Sequence, residues 1–248
     1  MPTFTYNQNI NIYYEEYGSG FPILLFAPGG MRSAIEYWKT SPWNPIEALS
    51  PHFRVIAMDQ RNAGKSTAPI NASDGWHSYT QDHLALLEYL EIEHCHLMGG
   101  CIGGPYCAGV MKAAPEKVAA AILQQTIGSE HNREVFYEMF DLWANPLRES
   151  WAERTPEELL PEIDLVSFRS NMYDGDFMFN VDQSFFKDCE TPMLVLMGND
   201  IYHPASTSRA VAATAPNATL IENWKESSEI ANTVATAIQF LKQHSPAS

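Results

Sequence analysis

The stretch His96-Leu97-Met98-Gly99-Gly100-Cys101-Ile102-Gly103-Gly104 sets one thiol between two pairs of glycines. The residues before it read as a strand. The residues after it, 102–114, are small and read as a helix. A strand that turns directly into a helix through Gly-x-Cys-x-Gly is an elbow that presents a nucleophile, here with sulfur in place of oxygen. The glycines have a steric purpose, because the turn is sharp and strained and its neighbours two residues away must lack bulk. The helix that follows points its first N–H groups at the site, which favours a thiolate and an oxyanion alike. The bland alternative is a glycine-rich turn around an inert, buried cysteine.

A second cluster, His94-Cys95-His96, looks metal-binding on paper. On a strand, however, His94 and His96 share one face and Cys95 takes the other. Two same-face ligands without a second pair do not make a zinc site, so no metal is expected. Cys107, six residues beyond Cys101, reads as a small core residue, with a resolving thiol as the other reading.

Short apolar strands and helical stretches must position these residues. Strands are predicted over 10–17, 22–27, 53–58, 94–98, 118–125, 192–197 and 218–222, and helices over 79–90, 102–114, 205–215 and 230–243. The run 22–27 is continuously apolar, as a strand covered on both faces should be. Repeated strand–helix units imply an α/β fold, a mostly parallel sheet with helices on both faces. Residues 129–188 break the pattern. They contain no convincing strand, read as helices over 131–147 and from Thr155-Pro156 onward, and are dense in aromatic residues. The expected organisation is a core of residues 1–128 and 189–248 with a helical cap, 129–188, over the carboxyl ends of the strands, where ligands sit in such sheets.

Composition narrows the function. The 248 residues carry 15 basic and 30 acidic side chains, a formal net charge of −15. Such a chain repels nucleic acid and anionic membranes, and no basic cluster offsets this. No apolar run approaches the ~20 residues of a membrane span, and residues 1–9 lack a signal-peptide core. Four unevenly spread cysteines are not a disulfide framework, which suits a reducing, cytoplasmic setting.

Two further segments complete a pattern. Leu24-Leu25-Phe26-Ala27-Pro28-Gly29-Gly30-Met31 is a strand followed by a glycine turn, and residues 59–66 read Asp-x-Arg-x-x-Gly-x-Ser. With the elbow, the chain resembles the α/β-hydrolase superfamily along nearly its whole length and in the right order. The resemblance implies an eight-stranded sheet and a structural role for Asp59–Ser66. It implies an oxyanion hole from the backbone N–H of Ile102 and of Gly30 or Met31. Gly198-Asn199-Asp200-Ile201-Tyr202-His203-Pro204 is similar to the family's acid loop, one residue shorter, and anchoring on Pro204 makes Asp200 the acid. The family's histidine follows the last strand, but here residues 220–228 contain none. His203, three residues beyond Asp200, is the first candidate to replace it. Lys225, His131 and His77 are the others, each with a plain reading as a surface or loop residue.

The expected function is hydrolysis of an ester, lactone or thioester on a small, partly apolar substrate, with Cys101, Asp200 and His203 as the catalytic set. Neither cofactor nor nucleic-acid or membrane partner is expected, and a homodimer is left open. The missing histidine keeps two other classes in view, a cofactor-free lyase or carbon–carbon bond enzyme on the same fold and a ligand-binding protein without turnover. Fold alone does not choose among them.

Overall fold

The computed structural model describes residues 3–7, 9–152 and 164–246. Its eight strands are β1 (Thr3–Tyr6), β2 (Ile10–Tyr17), β3 (Pro22–Phe26), β4 (Arg54–Met58), β5 (Cys95–Gly100), β6 (Val118–Gln124), β7 (Met193–Leu196) and β8 (Ala218–Ile221). They form one sheet in the order β1-β2-β4-β3-β5-β6-β7-β8. From β4 to β8 every neighbour is parallel, while β1–β2 and β2–β4 are antiparallel. This is the mostly parallel α/β sheet that the alternating pattern predicts. β1 is an addition. Its four residues, Thr-Phe-Thr-Tyr, bury only Phe4 fully, so the segment carries too little apolar signal to be read as a strand.

The helices are α1 (Pro45–Leu49), α2 (Trp76–Tyr89), α3 (Gly103–Ala113), α4 (Arg133–Ala152), α5 (Leu165–Tyr173), α6 (Ala205–Thr214) and α7 (Ile230–Gln243). Strand periodicity sorts the core into two layers. Leu24, Phe26, Ile56, Met58 and Leu97 face one side and pack with Leu86 and Leu87 of α2, Val110 of α3 and Val211 of α6. The alternate residues Ile23, Leu25, Val55, Ala57 and Met98 face the other and pack with Leu49 of α1, Ala237 and Leu241 of α7, and Trp38 and Trp224. Both layers are closed, which is why the central strands are apolar at nearly every position.

Among the described residues, the segment from β6 to β7 holds α4, α5 and a 3₁₀ turn at Gln183–Lys187 but no strand. α4 begins two residues later than its pattern suggests and runs through Pro146; the helix start at Thr155-Pro156 lies outside the described residues. Phe136, Phe140, Trp143, Phe168, Tyr173 and Phe179 pack ring against ring. The segment is tied to the sheet layer by Trp76 Nε1 donating to Met172 O at 2.6 Å, Trp143 Nε1 to Asn62 O at 3.1 Å and Arg32 Nη2 to Leu142 O at 2.9 Å.

The turn after β4 is held by its own polar residues. The Asp59 carboxylate accepts the N–H groups of Ile35 and Lys65, both at 2.8 Å, and Ser66 Oγ donates to Asp59 O at 2.8 Å. Arg61 is sunk between Asp82, at 2.7 Å, and Asp74, at 3.1 Å. The Ile35 bond ties the end of the early loop to this turn, and Arg61 ties the turn to Asp82 of α2.

Candidate active site

Cys101 sits at the end of β5 with φ +58°, a left-handed conformation that is costly for a residue with a Cβ. Its backbone is locked on both sides. Its N–H donates to Gln124 O at 3.0 Å, and its carbonyl accepts from Gly104 at 3.1 Å and Ile127 at 3.2 Å. The flanking glycines are sterically obligatory. A Cβ on Gly99 would lie 2.0 Å from the carbonyl oxygen of Gly103, and one on Gly103 would lie 2.4 Å from that of Phe26. The strand and helix therefore approach backbone to backbone, as the elbow spacing requires.

The thiol is turned inward, where the backbone N–H groups of Ile102 and Gly29 face it. Ile102 precedes α3, and Gly29, at φ +119°, opens the 3₁₀ turn Gly30–Arg32. Gly30 and Met31, singled out by the motif, follow inside that turn. Gly30 is covered by the cap-side Met139, whose sulfur would lie 2.3 Å from a Cβ there.

Opposite the sulfur stands His203. It is reached through the loop between β7 and α6, which doubles back on itself. The Asp200 carboxylate accepts the N–H of Tyr202 and of His203, both at 3.0 Å, and the His203 ring Nδ1 at 2.8 Å. Gly198 lets the loop close, since a Cβ there would be 2.5 Å from His203 Cβ. Asn132, at the foot of α4, donates to Ile201 O at 2.6 Å and fixes the outside of the loop. With Nδ1 on the carboxylate, His203 turns its buried Nε2 toward Cys101, with no other polar partner and no aligned hydrogen bond formed. Long or misaligned contacts of this kind are common in ligand-free sites.

The electrostatics follow from these contacts. Burial pushes the Cys101 thiol up, but the His203 imidazole and the Gly29 and Ile102 N–H groups outweigh it and leave the thiol below its ordinary value. Burial alone would depress His203, yet Cys101 and Asp200 together raise it to about 9. Burial opposes ionisation of Asp200 too, and the His203 contacts override that and lower its pKa. The directions all favour a thiolate beside an imidazolium, backed by a carboxylate that is 45 % exposed.

The other candidates lie elsewhere. Lys225 bonds its ammonium to Asn199 Oδ1, and Glu222, which could have paired with it, is taken by Arg209 at 3.0 Å. His131 and His77 are exposed. Trp224 fills the space after β8, fully buried, with Nε1 donating to Met197 O at 2.8 Å. His94 bonds Glu116 O at 2.9 Å, while His96 is buried against Ser245, 3.0 Å away. Among the described residues no group of three or more His, Cys, Asp or Glu could hold a metal ion. Burial drives the Cys107 thiol well up, and its neighbouring thiol is Cys95. Gly29, Gly198 and Asn132 are positioning residues to which the sequence assigned no role. Gly29 and Gly198 had a signal, as members of the glycine turn and the acid loop, and Asn132 had none.

A cleft of about 140 Å³ is lined by Gly29, Met31, Arg32, Val135, Glu138, Met139, Leu142, Trp143 and Tyr202, and shares Gly29 with the surroundings of the thiol. It runs between the early loop and α4. Among the described residues, no helix is long and apolar enough to cross a membrane.

An elbow at the end of a central parallel strand, an early loop and an acid loop, in this chain order, define a known architecture. Residues 22–165 match the model of the alpha/beta hydrolase fold, and the chain belongs to that family. Among curated relatives, a putative carbamate hydrolase RutD of Azorhizobium caulinodans is 34% identical over 121 residues, spanning 48% of this chain but only 42% of that protein. Its counterpart in Serratia proteamaculans is 24% identical over 237 residues, spanning 85% of this chain and 86% of that protein. Among solved structures, the enol-lactonase of Burkholderia xenovorans LB400 superposes with a TM-score of 0.69 at 21% identity, covering 97% of this chain and 100% of that one. The meta-cleavage product hydrolase of Pseudomonas fluorescens IP01 gives 0.68 at 19%, covering 95% and 96%. At these identities the solved structures speak for the fold.

Proposed function

We propose that the chain is a hydrolase that uses Cys101 as nucleophile on esters, lactones or thioesters of small, partly apolar substrates. One observation carries the reading. The inward-facing Cys101 thiol is backed by two backbone N–H groups and faces an imidazole whose other nitrogen is held by Asp200. The names of the relatives, carbamate hydrolase and enol-lactonase, support acyl chemistry at such a site.

The thiolate attacks the carbonyl carbon and forms the C–S bond. The carbonyl oxygen takes the negative charge and is held by the N–H of Ile102 together with an N–H of the early loop, Gly29 or its successors Gly30 and Met31. Collapse breaks the bond to the leaving group, which departs with the proton from His203. The neutral His203 then takes a proton from water. The resulting hydroxide equivalent attacks the thioester, and Cys101 leaves as thiolate. Asp200 orients the ring and stabilises its charged form. α4, in the expected helical cap, lines the cleft and brings apolar surface to the substrate. The four cysteines are all unpaired, which supports a reducing, cytoplasmic setting.

The test is intact-protein mass spectrometry after brief exposure to p-nitrophenyl acetate and to a thioester panel. The expected result is an acyl adduct on the wild type that is lost in Cys101→Ala, with turnover collapsing in His203→Ala. Product without an adduct would favour the lyase or carbon–carbon class, and a ligand bound without turnover would favour the binder.

A further inference from the structure

Three tyrosine hydroxyls lie buried behind the thiol without hydrogen-bond partners. They belong to Tyr79 on α2, Tyr106 on α3 and Tyr173 at the end of α5, each no more than 1 % exposed. They form one group. The Tyr79 and Tyr106 rings stack at 5.1 Å, and Trp76 stands edge-on to both Tyr106, at 5.6 Å, and Tyr173, at 6.2 Å. The group is continuous with the reaction centre. Tyr106 lies five residues beyond Cys101, and the charge of Cys101 is felt by both Tyr106 and Tyr173. On the other side Phe136 stacks on Tyr173 at 5.4 Å and meets Tyr202, a wall of the cleft, at 5.9 Å.

Buried hydroxyls are rarely left unpaired, because each loses its bonds to water and gains nothing in return. Three in one aromatic box point to a missing polar occupant. Its charge is constrained by the surroundings. The nearest cation, Arg61, is 5.6 Å from the Tyr79 ring but already shared by Asp74 and Asp82, so the local balance is one positive against two negative groups. A carboxylate would be repelled there, whereas an uncharged oxygen would not. We propose that Tyr79, Tyr106 and Tyr173 form an acyl-side subsite that hydrogen-bonds a ketone or hydroxyl oxygen borne on the acyl chain of the substrate, so that oxo- or hydroxyacyl donors are preferred over plain alkanoyl ones. This rests on the acyl-transfer reading of Cys101 and narrows its substrate class. Phenols kept protonated by burial are donors at every physiological pH, which suits a carbonyl oxygen.

The experiment compares p-nitrophenyl levulinate (4-oxopentanoate), p-nitrophenyl pentanoate and the p-nitrophenyl monoester of succinate on the wild type and on Tyr79→Phe, Tyr106→Phe and Tyr173→Phe. Melting temperature is recorded for each, so that a variant that fails to fold is replaced by the other two. In parallel, calorimetry measures binding of the unreactive N-ethyl levulinamide and N-ethylpentanamide to Cys101→Ala with and without each Phe. The wild type should favour levulinate over pentanoate by at least ~10-fold in kcat/KM, and each Phe should cut that ratio by ~3- to 10-fold, the effect of one lost hydrogen bond. Equal kcat/KM for the two esters, or a ratio that no Phe changes, overturns the subsite and leaves the hydrolase standing. A preference for the succinate monoester overturns the uncharged class. If no ester is hydrolysed but Cys101→Ala still selects levulinamide in a tyrosine-dependent way, the subsite stands and the hydrolase reading falls. Neither turnover nor selective binding overturns both.

Discussion

Removing the imidazole tests the resting state of the thiol most directly. In the wild type the sulfur is held below its ordinary pKa of 9.0 by His203 and by two N–H groups, against the opposing effect of burial. In His203→Ala the opposing effect remains and the main support is gone, so the pKa rises back toward its ordinary value. A thiol at the ordinary value is about 1% thiolate at pH 7, and each pKa unit regained in the variant removes up to 10-fold of the wild-type fraction. The freed thiolate is more basic and so intrinsically more nucleophilic. With a Brønsted coefficient of about 0.45, each pKa unit recovers roughly 3-fold. The net expectation is alkylation by iodoacetamide slowed at pH 7 by up to roughly 3-fold for each unit that the pKa rises. The pH profile is the sharper signature. The wild-type rate should level off at lower pH than the variant rate, which should climb about 10-fold per pH unit toward 9. Thiolate absorbance near 240 nm, titrated in parallel and corrected with Cys101→Ala, reads the same fraction without a reagent. Equal rates and superimposable profiles for wild type and His203→Ala would refute the reasoning, because burial alone cannot lower a thiol pKa.

Other expectations follow from the same contacts. Esterase kcat/KM should be bell-shaped, rising with thiolate formation and falling through about pH 9 as His203 loses its proton, and Asp200→Asn should draw the alkaline limb to lower pH. His83 is fully buried with its pKa pushed down to about 3 by burial and by Arg61. The unfolded chain binds this proton near pH 6.5 and the folded chain does not, so stability is lost as pH falls below 6.5, by about 2 kcal/mol at pH 5. That is roughly 4–8 °C in Tm, and His83→Gln should flatten this part of the Tm–pH curve. Gly99→Ala should cost more than the ~1–3 kcal/mol of ordinary overpacking, since its Cβ meets a backbone oxygen at 2.0 Å; circular dichroism melts and thiol alkylation would both register it. Lys225→Met should retain esterase activity within about 2-fold, with a stability change under ~1 kcal/mol, because its ammonium bonds an exposed loop amide outside the thiol's surroundings.

The parts of the molecule that could be read from the chain are those with strong local causes. Pro22–Phe26 is apolar throughout because both sheet faces are covered, and Gly99 and Gly103 are dictated by a contact two residues from Cys101. β1 was invisible because it fills an edge with one buried side chain. α2 starts three residues before its periodicity does, because Trp76 is anchored by Met172, 96 positions away in the chain. The orphaned hydroxyls were equally hidden. Tyr79, Tyr106 and Tyr173 each look like ordinary core aromatics, and only their convergence in space shows that none has a partner. The loop Gly198–Pro204 lies between these extremes. Its residue types suggest an acid and a base, but that His203 folds back onto Asp200 depends on backbone geometry that no residue type announces.

That loop makes the proposed general base and its acid neighbours on a single short hairpin of chain rather than contributions from two distant connections. Acid and base are thus inherited, lost or moved together, as a cassette seven residues long. Under the proposed assignment the connection after β8 is released from chemistry, and it holds the buried Trp224 as a packing plug. Grafting 198–204 into a relative whose own histidine has been removed should carry both functions at once. Conversely, chain breaks and insertions after β8 that would disable an enzyme with its histidine there should leave this one's reaction centre whole.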